Sequence, residues 1–549
     1  MEIALIQINP TIGDFRGNCR KIEEWAWKAQ RAGCRLAIFP EMAVSGYPPQ
    51  DLLERPAFVQ QQCEAVEELL DRLPEEMDVL LGCFEQREVQ QGKRLYNAAI
   101  AIRQGEVVFR AHKQLLPTYD VFDESRYFEP GEVPELYVLD GYAFGVTVCE
   151  DIWHHEIEVY SREPVASLKQ AAAADNAQVD CIINISASPF QRGKELQRHA
   201  LFRRLCSRHA LPLIFVNQVG GQDSLLFDGR SLVMRHDGEI TAKAVGFTED
   251  MVMVSSRDWR GSMAGREVDD EVEAVYSGLV MGVRDYVAKS GFSSVVIGVS
   301  GGIDSALTAA IAVQAMGADK VLCVAMPSCF SSVESEEDAA GLALALGCRY
   351  EVVPINDLFV GFQDTLAPLF TGMAEDVTEQ NIQARIRGNI LMAISNKFGS
   401  IVLSTGNKSE MAVGYCTLYG DMSGGLAVIA DVPKQLVYDL ARYVNREKPI
   451  IPLRTMEKAP TAELKADQSD QDDLPPYELL DAIVQYHLED GFDLNRIVAM
   501  GFDEAMVRDI LRRIRLNEYK RKQAPLGLKV TSKAFGHGRR YPNVQKFRQ

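Results

Sequence analysis

The sequence predicts an α/β protein of at least two units, and three observations carry that prediction. The chain is 549 residues long, more than one typical domain holds. Short apolar, β-branched runs alternate with helical stretches through both halves. In the second half, VVIGVSGGIDSALTAAIAVQAM (295–316) passes from a buried parallel strand through a glycine turn straight into an alanine-rich helix.

In chain order, residues 3–6 read as the first strand and 18–32 as a helix. Further strands are predicted at 36–39, 79–82, 98–101, 144–148, 181–185, 213–216 and 251–254. Reactive residue types sit just past several strand ends: Glu41, the run Cys149-Glu150-Asp151, Ser188 and Asn217. That is where α/β sheets place their ligands. Residues 257–270 contain Gly261 and Gly265 and no clear apolar period. The expected organisation is therefore a first domain over 1–258, a linker over 259–272 and a second domain over 273–549. A helix at 271–289 leads into the second domain, whose strands are expected at 295–299, 321–326, 350–353 and 401–404. The run 467–473 (DQSDQDD) reads as an acidic surface loop or linker before Pro475-Pro476, which disfavours helix. Residues 477–519 read as a helical bundle, and no internal repeat is evident.

Composition excludes several classes. Hydrophobic residues make up 47% and charged residues 25%, as in ordinary soluble proteins. The formal net charge of -19 argues against a nucleic-acid or anionic-membrane surface. Residues 519–549 depart from it, with nine Lys and Arg and no acid. Such a segment is either a solvated basic tail or one that folds over a polyphosphate. The eleven cysteines show no CxxC pair and no metal spacing, which fits a reducing compartment. The start, MEIALIQINP, is not a signal peptide, and no apolar run approaches about 18 residues. The expectation is a cytoplasmic, homo-oligomeric protein with neither nucleic-acid nor membrane partners.

The turn at 300–305, SGGIDS, is the most specific single motif. Its glycines let backbone approach a ligand, and the N–H groups at the helix start point at an anion. No Gly-Lys-Ser/Thr closes it, so it is not a Walker A loop. An ordinary turn needs one glycine and no fixed Ser and Asp around it. The SGGxDS pattern resembles the pyrophosphate loop of ATP pyrophosphatases. That resemblance implies cleavage of ATP between its α- and β-phosphates and adenylation of a carboxyl or carbonyl oxygen.

Upstream, Glu41 (IFPEMAVSGY), Lys113 (AHKQLLPTYD) and Cys149 (VTVCEDIW) sit beside predicted strand ends. Singly, such residues are most often inert core or solvated surface. Together they suit hydrolysis: a cysteine nucleophile whose pKa an ammonium lowers, a carboxylate to shuttle the proton, and a lysine for the oxyanion. In this order the three segments resemble the nitrilase (carbon–nitrogen hydrolase) family and its Glu-Lys-Cys triad. The resemblance implies an α-β-β-α sandwich. The LPTY and SASP runs are similar to its glutaminase branch, implying that Tyr119, Ser188 and Lys194 hold glutamine, with Glu124 a second carboxylate near the triad. Lys194 stands where some relatives have arginine, keeping the charge without the bidentate fork.

Downstream come TEQNIQARIRGNILM (378–392), LSTGNKSEMAVGYCTLYGD (403–421) and DVPK (431–434). Asn381, Arg385 and Arg387 offer donors to phosphates or a nucleotide, and Arg385 shares a helix face with Asn381. Thr405 is placed to meet a nucleotide and Glu410 a Mg²⁺ ion or a ribose. These runs resemble the NAD synthetase family, and the whole chain resembles its glutamine-dependent, two-domain form. The second domain is then a Rossmann-like parallel α/β unit of the ATP-pyrophosphatase type. The resemblance implies that Gly298, Val299, Ser300, Gly301, Gly302, Ile303, Asp304 and Ser305 cradle ATP, with Thr405 beside it. Asn381, Glu410 and Lys520 would contact deamido-NAD, and Asp304 and Glu410 would meet Mg²⁺. Asp421 and Lys434 would line the place where ammonia attacks. The implied substrates are glutamine, ATP and deamido-NAD. Two other readings stand beside this: a glutamine-dependent amidotransferase acting on another carboxylate or a nucleobase, and a first domain that only binds while free ammonia supplies the nitrogen.

Overall fold

The computed structural model describes residues 1–87, 91–154, 160–266, 268, 270–465 and 468–547. The chain divides into two compact units, Met1–Asp270 and Glu271–Gln549.

The first unit is built on two mixed sheets. One has seven strands in the order Arg260–Gly261, Asp250–Ser255, Glu2–Gln7, Cys34–Ile38, Asp78–Gln86, Leu95–Arg103, Glu106–His112. The other has six, in the order Ile240–Lys243, Leu232–Met234, Leu213–Asn217, Cys181–Ser186, Tyr142–Val148, Tyr137–Leu139. Strand parity assigns the layers. Ile3, Leu5, Leu36 and Ile38 join Val146, Val148, Ile183 and Ile185 in the core between the sheets. Their sequence neighbours Ala4, Ile6 and Ala37 join Ile22 and Ala26 of helix Phe15–Arg31 outside the first sheet. Outside the second, Ile182, Leu213 and Phe215 pack with Phe202 and Leu205 of helix Lys194–His209. The central strands of each sheet are buried on both faces, which is why they read as continuous apolar runs, whereas the edge strands Glu106–His112 and Tyr137–Leu139 expose one face. The layering is α-β-β-α.

The second unit holds a five-stranded sheet in the order Arg349–Val352, Val321–Ala325, Val295–Gly298, Ile401–Ser404, Leu426–Ala427. Every neighbouring pair in it is parallel. The chain order reverses between Val295–Gly298 and Ile401–Ser404, and such a switch point opens a crevice at the carboxyl ends of the strands. SGGIDS and STGNKSE follow these two strands. Helices Tyr477–Leu488, Leu494–Ala499 and Glu504–Leu516 form a separate cluster around Leu480, Ile483, Val507 and Ile510.

Two expectations need revision, and one choice left open narrows. Arg260–Gly261, expected in the linker, pairs with the sheet as an edge strand. Of the acidic run 467–473, Asp467 lies outside the described residues and Asp470 is buried, accepting a hydrogen bond from Tyr477 Oη at 2.8 Å. Of the two readings of the basic segment, a solvated tail fails up to Arg539, while residues 540–547 are largely exposed. Leu528 and Val530 are fully buried, and Arg521 and Arg539 both pair with Glu518.

Candidate active sites

In the first unit, Glu41, Lys113 and Cys149 are all buried beside the carboxyl ends of three strands. Lys113 Nζ lies 2.9 Å from Glu41 Oε1 and 2.7 Å from Glu124 Oε1. Burial opposes the ammonium charge, but Glu124 and Glu41 outweigh it and hold the Lys113 pKa well above its usual value. Glu41 approaches closely because Gly82 lies beneath it: a Cβ there would sit 2.5 Å from Glu41 Cα. The second oxygen of Glu41 accepts from the backbone N–H of Ala187 at 2.8 Å.

Cys149 sits at a sharp strand-to-helix turn with φ +43°, a strained setting for a non-glycine residue. The ammonium was expected to lower its pKa. Burial instead, reinforced by the charge of Glu41, pushes the thiol well above its usual range against the opposing pull of Lys113. A thiol raised in this way gives up its proton in the course of attack, which calls for a base beside it.

The residues expected to hold glutamine divide. Glu124 is buried, takes the Lys113 ion pair and accepts from Tyr47 Oη at 2.8 Å; burial raises its pKa. Ser188 is buried, with its backbone N–H bonded to Asn217 Oδ1 at 2.8 Å. Lys194 Nζ lies 4.0 Å from the centroid of the Trp153 ring, a cation–π contact. The hydroxyl of Tyr119 donates to Glu150 at 3.0 Å.

Sequence reasoning missed Asn97, Tyr47 and the division of labour between Glu150 and Asp151. Asp151 accepts three backbone N–H groups, from Gln114, Leu115 and Val148, at 2.9, 2.9 and 3.0 Å. It is a buckle for the turn. Glu150 is held by the hydroxyls of Tyr119 and Tyr160, the latter at 2.9 Å, and burial raises its pKa. The adjacent carboxylates look alike in the sequence, and only their partners separate them. The one available signal for Asn97 is a polar residue inside the otherwise apolar strand LYNAAIAIR.

In the second unit, two neighbouring cavities of about 340 and 250 Å³ share Ser300, Ser404, Thr405 and Asp421 in their walls. Between Val295–Gly298 and helix Ile303–Met316, Gly301 adopts φ +78°. A Cβ there would sit 2.4 Å from the carbonyl oxygen of Ser335, so only glycine fits. Ser305 Oγ accepts from Ser300 N at 3.2 Å and donates to Gly302 O at 2.9 Å, closing the loop on itself. Val299 and Ile303 are buried, Val299 in the wall of the smaller cavity and Ile303 in that of the larger. Gly298 lines the smaller cavity.

Asp304 pairs with Lys434 and accepts from Asn407 Nδ2 at 2.9 Å. Lys434 Nζ also lies 3.9 Å from Glu410 Oε1. Burial and the charge of Asp304 raise the Glu410 pKa to about 8. The ammonium thus lies between two carboxylates that face one cavity, as a cation would. Among the described residues, no three His, Cys, Asp or Glu side chains form a closed metal site. A pair of carboxylates completed by substrate phosphates is the donor set Mg²⁺ uses, so the residues fit that ion.

Asp421 is solvent-exposed in the walls of both cavities and accepts from Thr417 N at 2.7 Å. Asn381 lines the larger cavity, its Oδ1 accepting from Thr417 Oγ1 at 2.7 Å. Lys520 also lines it, but its Nζ donates to the carbonyls of Gly414 and Cys416, each at 2.8 Å. Arg385 is turned to the Leu418 carbonyl at 3.2 Å. Arg387 reaches the smaller cavity, where burial lowers its pKa to about 10.

Fold and sites together define a two-domain enzyme: a nitrilase-like cysteine hydrolase unit joined to a nucleotide-dependent α/β unit. The carbon-nitrogen hydrolase family model matches residues 2–259, and the NAD synthase model matches 275–524. A glutamine-dependent NAD(+) synthetase from Synechocystis is 44% identical, covering 99% of both chains. The structure of such a synthetase from Acinetobacter baumannii, in complex with ADP, is 40% identical with TM-score 0.77, covering 99% of this chain and 98% of that one. A third, from Cytophaga hutchinsonii, shares the fold at TM-score 0.83 and 19% identity, over 99% and 98% of the two chains. The chain belongs to the glutamine-dependent NAD(+) synthetase family.

Proposed function

We propose that this chain makes NAD⁺ from deamido-NAD, ATP and glutamine, and that the two sites divide the reaction as follows. Cys149 Sγ attacks the side-chain amide carbon of glutamine while Glu41 takes its proton and passes it to the departing ammonia. Lys113 spends two N–H groups on Glu41 and Glu124, leaving its third for the oxyanion. Water then releases glutamate from the thioester. Tyr119, Ser188 and Lys194 line the glutamine pocket. Glu150, a buried carboxylate beside the nucleophile, suits the substrate's α-ammonium.

In the second unit, residues 298–305 and Thr405 hold ATP. The nicotinate carboxylate of deamido-NAD attacks the α-phosphorus and pyrophosphate leaves; a bare carboxylate is otherwise a poor acyl donor. Ammonia attacks the acyl adenylate and AMP departs. Asn381 and Lys520 hold the dinucleotide, with Asp421 and Lys434 around the reacting carbonyl. Asp304 and Glu410 would hold Mg²⁺, which supplies charge neutralisation at the phosphates when bound.

The chain's membership of an enzyme family named for glutamine as donor and NAD(+) as product favours this reading over another acceptor or a first unit that only binds. One structural observation carries the reading: the complete Glu41–Lys113–Cys149 set and the Asp304–Lys434–Glu410 set occur in one chain. Among the described residues no helix is long and apolar enough to cross a membrane, and all eleven cysteines are free thiols. These observations support a cytoplasmic location. Exposed Leu358, Phe362, Leu369, Met373, Val377 and Phe398 support a homo-oligomer. The decisive variant is Cys149→Ala. Glutamine-driven NAD⁺ formation should vanish while ammonium-driven formation persists; surviving glutamine-driven synthesis would overturn the assignment.

A further inference from the structure

Two thiols in the second unit lie outside both sites and face each other. Cys323 is fully buried on strand Val321–Ala325. Cys348 is half-buried, immediately after the glycine that ends helix Val333–Leu346. Parallel pairing sets Cys323 opposite Tyr350, two residues beyond Cys348, and the two sulfurs are 3.5 Å apart. That separation is hydrogen-bond contact for thiols, and a disulfide needs about 2.05 Å.

We propose that Cys323 and Cys348 form an oxidation site that a small hydroperoxide converts to a disulfide. The asymmetry of the pair assigns the roles. Cys348, half-buried where Cys323 is fully buried, is the thiol a peroxide reaches, and its sulfur is in hydrogen-bond contact with the Cys323 sulfur, either thiol being able to donate. The Cys348 thiolate attacks one peroxide oxygen; the S–O bond forms, the O–O bond breaks, and the other oxygen leaves as water or an alcohol after taking a proton. Cys323 then loses its proton and attacks the sulfenic sulfur. The S–S bond forms, the S–O bond breaks, and hydroxide leaves as water with that proton. Two electrons pass from the sulfurs to the peroxide.

The link would tie the end of helix Val333–Leu346 to the strand beside it. The first turn of that helix supplies Ser335, whose carbonyl abuts Gly301 of the phosphate loop. The strand continues into Met326 and Pro327, in the wall of the smaller cavity. The disulfide therefore joins two elements that shape the nucleotide site.

The test is peptide mapping of the full-length protein after brief hydrogen peroxide treatment, then thiol alkylation under denaturing conditions. The expected product is a peptide pair joining Cys323 to Cys348, two hydrogens lighter than the free peptides. It should disappear on reduction with dithiothreitol and be absent from Cys348→Ser and Cys323→Ser proteins. Cys329, an exposed thiol, reports that peroxide reached the protein. If Cys329 is oxidised while both Cys323 and Cys348 remain alkylatable, or Cys348 proceeds to sulfinate without a link, the proposal fails.

Discussion

The side-chain amide of Asn97 donates to Glu41 Oε1 at 2.6 Å and reaches Glu124 Oε2 at 3.3 Å. With Lys113 on the same two carboxylates, Asn97 fixes the rotation of the general base before substrate arrives. Asn97→Leu should lower kcat for glutamine hydrolysis about 10- to 100-fold, the cost of one hydrogen bond to a charged group. Ammonium-driven NAD⁺ synthesis should stay unchanged. Steady-state glutaminase kinetics beside the ammonium assay check this.

Among the described residues, the Glu150 carboxylate accepts from two tyrosine hydroxyls, those of Tyr119 and Tyr160. If it receives the α-ammonium of glutamine, Glu150→Gln should raise KM for glutamine about 10- to 100-fold, the same energy applied to binding. The rate at saturating glutamine should fall much less. A change confined to kcat would assign Glu150 to the chemistry instead.

Gly301→Ala places a methyl 2.4 Å from a backbone oxygen at a residue with φ +78°. The strain alone costs about 1–2 kcal/mol, and the clash adds to it. Denaturant unfolding should show the second unit destabilised. Glutamine- and ammonium-driven synthesis should both be lost, while glutamine hydrolysis at the other site continues.

Glu410 carries a raised pKa of about 8, caused first by burial and then by the charge of Asp304. Its ordinary value is 4.5, so below about 8 the folded protein retains a proton there that the unfolded chain has released. This residue's contribution to stability therefore falls as pH rises between those values. A cation must displace that proton. Magnesium-dependent ATP binding, measured by calorimetry, should tighten as pH rises toward about 8. Glu410→Gln should flatten the slope.

Much of this was legible in residue order. Strands buried on both faces produce apolar runs, and polar residues that interrupt or follow them stand out, as Glu41, Cys149 and residues 300–305 do. The partners that tune them are less visible. Asn97 looks like an ordinary mid-strand residue, and Asn407 like an ordinary helix cap until its amide is found on Asp304. The basic segment misleads for the same reason: the sequence counts its charges, while the fold pairs Arg521 and Arg539 with one acid.

By itself, the sequence determined two α/β units, the phosphate loop and the three segments of the hydrolase site, because local patterning and backbone geometry are properties of neighbours along the chain. Tertiary structure alone decided that Glu150 faces hydroxyls while Asp151 is consumed by backbone. It also decided that burial, not Lys113, governs the Cys149 thiol. Desolvation and pairing depend on what lies across the fold, from residues dozens of positions away.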